Sequence, residues 1–159
     1  MTRVAVLTVS DRSSRGERPD AGGPAVAAAA ERRGWTVVER AVVADDRAAV
    51  AERLKAWCDG PAAPHLVLTT GGTGFGPRDL TPEATKDVLE REAPGVAERV
   101  RRVTEAATPL AALSRGVCGT RGRTLLLNLP GSPKGAVESL DAAAELLEHA
   151  LHVLAGGDH

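Results

Sequence analysis

Leu66-Val67-Leu68-Thr69-Thr70-Gly71-Gly72-Thr73-Gly74-Phe75-Gly76-Pro77-Arg78-Asp79 is the stretch on which the fold turns. It opens with a short apolar run and then places four glycines within six residues. An apolar run without polar alternation suits a strand buried on both faces, as in a parallel sheet covered by helices. Val4–Val9 and Leu125–Leu129 are runs of the same kind. Each also ends in a polar or glycine-rich loop, Ser10-Asp11 after the first and Pro130-Gly131-Ser132-Pro133-Lys134-Gly135 after the last. Trp35–Val43, rich in Val and Thr, is a fourth strand candidate.

Helical patterns lie between these runs. Ala25–Arg33 is alanine-rich, with Gly34 where a C-cap would stand. Asp46–Cys58 sets Val50, Leu54 and Trp57 on one face. Thr81-Pro82 opens the next helix, with Thr as the expected N-cap, and Pro94-Gly95 ends it. A further helix carries Val96, Val100, Val103 and Ala107 on one stripe. The last follows Ser132-Pro133, and its broad stripe through Leu140, Ala144, Leu147, Leu151 and Leu154 calls for deep burial or a subunit interface. Strands alternating with helices indicate an α/β fold with a mainly parallel sheet, one domain over residues 1–159. Ser10–Gly23 is the longest irregular stretch and reads as a mobile loop.

Composition narrows the function. Apolar residues make up 43% and charged residues 26%, an ordinary globular balance. Trp35, Trp57 and Phe75 are the only aromatics, too few for the stacking platforms of single-stranded nucleic acid binders. The net charge of −1 supplies no global field toward nucleic acid or an anionic membrane. Cys58 and Cys118 match no metal-ligand spacing and read as buried free thiols. Val4–Val9 is too short for a signal-peptide core, and no apolar run approaches the ~20 residues of a membrane span. A cytoplasmic protein without nucleic-acid or membrane partners is expected.

In open α/β sheets ligands bind beyond the carboxyl ends of the strands, so three such loops can converge on one pocket. Glycines let backbone N–H groups approach an anion, and a helix N-terminus adds free donors and a favourable dipole. Phosphate is the natural ligand of this grammar, although Gly-Ser-Pro is also ordinary helix-opening punctuation. Walker A and dinucleotide fingerprints both fail at Pro77-Arg78. Phosphoryl chemistry further needs carboxylates for Mg²⁺. Asp79 follows the glycine loop, while Asp45 ends the second strand and is equally well placed as a helix N-cap. Lys134, in the first turn of the last helix, opposes the helix dipole unless an anion sits there. Ser114-Arg115 is either an anion contact or a turn. The four histidines suggest no metal site.

Taken together, Thr8-Val-Ser-Asp11, Leu68–Asp79 with Thr81-Pro-Glu-Ala-Thr85, Leu113-Ser-Arg115 and Leu127-Asn-Leu-Pro-Gly-Ser-Pro-Lys-Gly135 resemble the molybdopterin adenylyltransferase family, which includes the MogA and MoaB proteins and the G domain of gephyrin. The resemblance runs from about Arg3 to Leu154. It implies a three-layer αβα fold assembled as a homotrimer, and transfer of AMP from ATP to the terminal phosphate of molybdopterin with release of pyrophosphate. Mg²⁺ is the implied cofactor, and other enzymes of molybdenum-cofactor synthesis are implied partners. The family's two key aspartates fall on Asp45 and Asp79. Its ligand-binding motifs fall on Ser10, Asp11, Gly71, Gly72, Thr73, Gly74, Ser114, Asn128, Pro130, Gly131, Ser132 and Lys134. Where the family often has Pro-Asp, this chain has Ala44-Asp45-Asp46, so either carboxylate is a candidate to face the metal. The alternative function is a carrier that binds molybdopterin without adenylylating it.

Overall fold

In the computed structural model, which describes residues 1–159, the three apolar runs become strands β1 (Arg3–Val9), β3 (Leu66–Thr70) and β6 (Thr124–Leu129). They lie parallel at the centre of the sheet, with Val6 opposite Leu68 and Leu68 opposite Leu127. Successive side chains point to opposite faces. Val4, Val6, Leu66, Leu68, Leu125 and Leu127 join one core with helices α2 (Gly22–Arg32), α5 (Pro94–Thr104) and α6 (Pro133–Leu154). Ala5, Leu7, Val67 and Leu126 join the other, with α3 (Arg47–Asp59) and α4 (Thr81–Val88). Burial on both faces is why these strands lack polar alternation, and the result is the expected three-layer α/β fold.

Strand β2 (Thr36–Val43) pairs parallel with β1 at the sheet edge and leaves Val38 and Val42 exposed. The other side is extended by two antiparallel strands, β4 (Arg91–Glu92) and β5 (Cys118–Arg121), giving the order β2-β1-β3-β6-β5-β4. The sequence reading missed both, because neither carries an apolar run. The helix opened at Thr81 accordingly stops at Val88, where the backbone turns to pair with β5: the Glu90 N–H donates to the Thr120 carbonyl at 2.8 Å. On α6, Leu140, Ala144 and Leu147 are buried, while Leu146 is exposed. No helix is long and apolar enough to cross a membrane.

Two local expectations change. The stretch Ser10–Gly23 is not wholly irregular: it holds a helical turn and the start of α2, fixed by side-chain hydrogen bonds. Ser10 Oγ accepts from the Ser13 N–H and caps a one-turn helix α1 (Asp11–Ser14). Asp20 accepts from the Thr8 hydroxyl at 2.8 Å and from the Gly23 N–H at 3.0 Å, and α2 begins at Gly22, three residues earlier than its alanines indicate. Thr81 is not the cap of α4. It is the first helical residue, and its hydroxyl donates to the Gly71 carbonyl at 2.9 Å.

The chain leaves β1 toward β2 on one side and returns to β3 on the other. That reversal opens a crevice above the carboxyl ends of β1 and β3, the place where open α/β sheets take ligands.

Candidate active site

The crevice is a cleft of about 690 Å³. The loop after each parallel strand contributes to its wall: Ser10 after β1, Asp45 after β2, Gly71, Gly72 and Asp79 after β3, and Gly131 and Ser132 after β6. A second pocket of about 290 Å³ shares Ser132 and is lined by Thr73, Gly74, Ser114, Asn128 and Pro130, with Leu110 and Leu113 adding apolar surface. A hollow of similar size to the first lies elsewhere, around Arg3, His65 and His152, and contains none of these groups.

The glycine loop is pressed against its neighbours. Gly71 has φ +102°, and a Cβ there would run into the Val9 carbonyl oxygen. Gly72 has φ +70°, and a Cβ there would meet the Thr81 hydroxyl. Only glycine combines that conformation with that approach. The Gly71 N–H also donates to the Leu129 carbonyl at 3.2 Å, and the Thr70 hydroxyl to the Pro130 carbonyl at 2.7 Å. These bonds tie the loops after β3 and β6 into one floor.

The adjacent aspartates at the end of β2 divide their work. Asp46 accepts from the Ala49 N–H at 2.8 Å and is the N-cap of α3. Asp45 is thereby free of capping and turns into the cleft. It exchanges two hydrogen bonds with Asp11. Asp45 Oδ2 accepts from the Asp11 N–H at 2.8 Å, and the Asp45 N–H donates to Asp11 Oδ1 at 3.0 Å. Arg78, from the glycine loop, grips Asp11 through Nε at 2.6 Å and Nη2 at 3.1 Å. The chain Arg78–Asp11–Asp45 therefore joins the loops after β3, β1 and β2. Burial pushes the Asp45 carboxyl above its ordinary range, and the charges of Asp11 and Asp79 add to the rise. The Arg78 hydrogen bond pulls Asp11 the other way, below the usual carboxylate range.

Asp79 reaches the same cleft from the far end of the glycine loop and accepts from the Gly76 N–H at 2.8 Å. Arg115 buckles this segment. It donates to the Gly74 and Asp79 carbonyls, each at 2.7 Å, and pairs with Glu83. Arg115 is thus engaged by groups of the protein itself, the Glu83 carboxylate among them.

The remaining expected residues separate clearly. Ser132 caps α6, its Oγ accepting from the Gly135 N–H at 2.9 Å, and still lines both pockets. Asn128 is a structural clasp. It donates to the Thr69 and Thr85 hydroxyls at 2.9 and 3.0 Å and accepts from the Val117 N–H at 3.1 Å, which uses both its donors. Ser114 Oγ accepts from the Gly116 N–H at 3.3 Å at the rim of the second pocket. Asp11 does not line the cleft but is hydrogen-bonded to Asp45, which does. Lys134 lines neither pocket. Its side chain is 87% exposed and lies 3.9 Å from Glu138, one turn later, which does line the second pocket. Arg18 and Asp20 line the cleft and were missed, because the stretch that holds them reads as a loop. The spacing of Asp20 to Gly23, that of a side-chain cap on a helix start, was the available signal.

Residues 5–149 match the family described as a probable molybdopterin binding domain. The chain is 41% identical over 150 residues to the molybdenum cofactor synthesis protein cinnamon of Drosophila melanogaster, a match covering 94% of this chain and 25% of that longer protein. It is 39% identical over 147 residues to the molybdopterin adenylyltransferase of Haemophilus influenzae, covering 91% of this chain and 74% of that one. The crystal structure of the molybdopterin biosynthesis enzyme MoaB of Thermus thermophilus superposes with a TM-score of 0.92 at 50% identity, covering 98% of each chain.

Proposed function

The chain belongs to the molybdopterin-binding domain family, and from that premise we propose that it is a molybdopterin adenylyltransferase of molybdenum-cofactor synthesis, transferring AMP from ATP to the terminal phosphate of molybdopterin. The observation that carries this reading is the meeting of Asp45 and Asp79 in one cleft, beside the Gly71-Gly72 loop and the start of α6 at Ser132.

The donor set suits Mg²⁺. Mg²⁺ is commonly held by one or two carboxylates with substrate phosphate oxygens completing its shell. Glycine is what lets these carboxylates lie against the loop: a Cβ at Gly74 or Gly76 would stand 2.9 Å from Asp79 Oδ2, and one at Gly72 would stand 3.3 Å from Asp45 Oδ1. Asp45 and Asp79 are the residues that would hold the ion, and it supplies charge neutralisation at the α-phosphate when bound. The glycine loop and the α6 N-terminus offer backbone donors to phosphate oxygens. An oxygen of the molybdopterin phosphate forms the new bond to the α-phosphorus, the α–β anhydride bond breaks, and pyrophosphate leaves. The attacking oxygen is already anionic, so the site needs positioning and charge stabilisation rather than a strong base. The second pocket, which shares Ser132 with the cleft, gives a neighbouring place for one substrate's ring system. The same resemblance implies a cytoplasmic homotrimer.

Pyrophosphate release from Mg-ATP, measured with and without molybdopterin, tests the function. Release that needs molybdopterin is expected. Molybdopterin binding without release would make the chain a carrier, and release without molybdopterin a nucleotide hydrolase.

A pH dependence follows from the Arg78 clamp. Arg78 opposes the upward shift of Asp45. Arg78→Ala therefore raises the Asp45 pKa further, and the acid limb of the turnover–pH profile moves to higher pH, since the carboxylate must be ionised to hold a cation. An acid limb that stays in place, or moves down, would contradict the assignment of Asp45.

A further inference from the structure

Two polyanionic substrates are to meet in a cleft whose ionisable lining is Asp20, Asp45, Asp79 and a single cation, Arg18. Of the other cations at this end of the sheet, Arg12 also forms no ion pair but does not line the cleft, and the rest are engaged or lie outside it. Arg78 is gripped by Asp11, Arg115 by Glu83 and two carbonyls, Arg15 by Glu17, and Lys134, which does not line the cleft, lies 3.9 Å from Glu138. Arg18 forms no ion pair. Its one hydrogen bond is from Nη2 to Ser10 Oγ at 3.3 Å, which leaves most of the five N–H donors of its guanidinium uncommitted.

That bond also decides what Ser10 can do. A serine hydroxyl has two acceptor lone pairs and one proton. Ser10 Oγ already accepts from the Ser13 N–H at 3.2 Å and from Arg18. Its O–H is left to donate, in a residue that is 9% exposed and lines the cleft. A guanidinium and a hydroxyl proton side by side, with no carboxylate accepting from either, form a receptor for an oxyanion.

We propose that Arg18 and Ser10 form a phosphate cradle, in which Arg18 binds a phosphate group of one of the two substrates and supplies cationic charge in the cleft, which Lys134 does not line. The inference rests on the adenylyltransferase reading for the identity of the substrates. Its geometry requires only a phosphate ligand. The guanidinium can take two oxygens of one phosphate in parallel hydrogen bonds, which an ammonium cannot, so Arg18→Lys keeps the charge and loses the fork.

The test uses inorganic pyrophosphate with Mg²⁺ as a probe, titrated calorimetrically into wild type, Arg18→Gln and Arg18→Lys, alongside KM values for ATP and molybdopterin. Thermal unfolding, expected to be unchanged at this exposed side chain, shows that the variants are folded. Loss of a charge-assisted bond weakens pyrophosphate binding about tenfold in Arg18→Gln, with Arg18→Lys between. A raised KM for ATP assigns the cradle to the triphosphate, and a raised KM for molybdopterin assigns it to that substrate's terminal phosphate. Either rise supports the cradle. Unchanged pyrophosphate affinity together with two unchanged KM values overturns it. If wild type turns nothing over, the function has failed on its own account, and pyrophosphate binding alone decides: equal affinity in wild type and Arg18→Gln, or none in wild type, sinks the cradle.

Discussion

Asp45→Asn lowers adenylyl transfer on the order of 100-fold, the usual scale for losing a charge-stabilising group in a preorganised site, whereas Asp46→Ala leaves it within about twofold and costs about 1 kcal/mol of stability through its lost cap. The two residues are neighbours in sequence and both carboxylates, so composition and local charge predict the same outcome for both. Geometry predicts opposite ones. Asp46 spends its side chain on the Ala49 N–H at the start of α3, while Asp45 is pinned by Asp11 and lines the cleft with Asp79. Asp79→Asn is expected to match Asp45→Asn in turnover while leaving molybdopterin binding largely intact. The Asn side chain can still accept from the Asp11 N–H, so Asp45→Asn preserves the loop and removes the charge. Steady-state pyrophosphate release with chemical denaturation on the same samples separates the two effects. Equal loss of turnover in Asp45→Asn and Asp46→Ala would refute the division of labour.

Gly71→Ala is the largest expected stability change, about 2–4 kcal/mol. Its φ of +102° is a conformation L side chains rarely adopt, and the new methyl would meet the Val9 carbonyl at the end of the central strand. Relief requires the loop to lift from β1. That breaks the Gly71 N–H bond to Leu129 and the Thr81 bond to the Gly71 carbonyl. Turnover falls with stability, because the same loop carries the phosphate donors and positions Asp79. At about 2–4 °C per kcal/mol for a chain of this size, the melting temperature drops by roughly 5–15 °C. Gly95→Ala is the control: nothing lies within 4 Å of its added Cβ, and it sits in the first turn of α5. A Gly71→Ala variant that melts with wild type would mean that the loop is not held as described.

Several features of the fold and site were legible in the chain itself. Val4–Val9, Leu66–Thr70 and Leu125–Leu129 announce strands covered on both faces, and they are the central parallel strands. The glycine loop and Ser132-Pro133 announce backbone donors at strand ends, and they line one cleft. Strands β4 and β5 were not legible. Neither Arg91-Glu92 nor Cys118–Arg121 has the apolar pattern of a strand, and each is extended only because the other, or β6, supplies its hydrogen bonds. The order in Ser10–Gly23 was hidden for a related reason: Asp20 is held by Thr8 and Gly23, and composition does not record such contacts.

The sequence by itself determined the architecture and the chemical vocabulary, because hydrophobic periodicity and glycine placement are local properties that act within one strand or turn. Tertiary structure alone decided which groups of that vocabulary face each other. Asp45 rather than Asp46 enters the cleft because Asp11, 34 residues away, holds it there, and Asp11 is in turn held by Arg78, 67 residues away. Arg18 rather than Lys134 supplies the cleft's cation because the loop after β1 folds back over Ser10, whereas the first turn of α6 presents Lys134 to solvent. Such choices depend on which loops a parallel sheet brings to the same edge, and pairings across that distance leave no periodic trace in the chain.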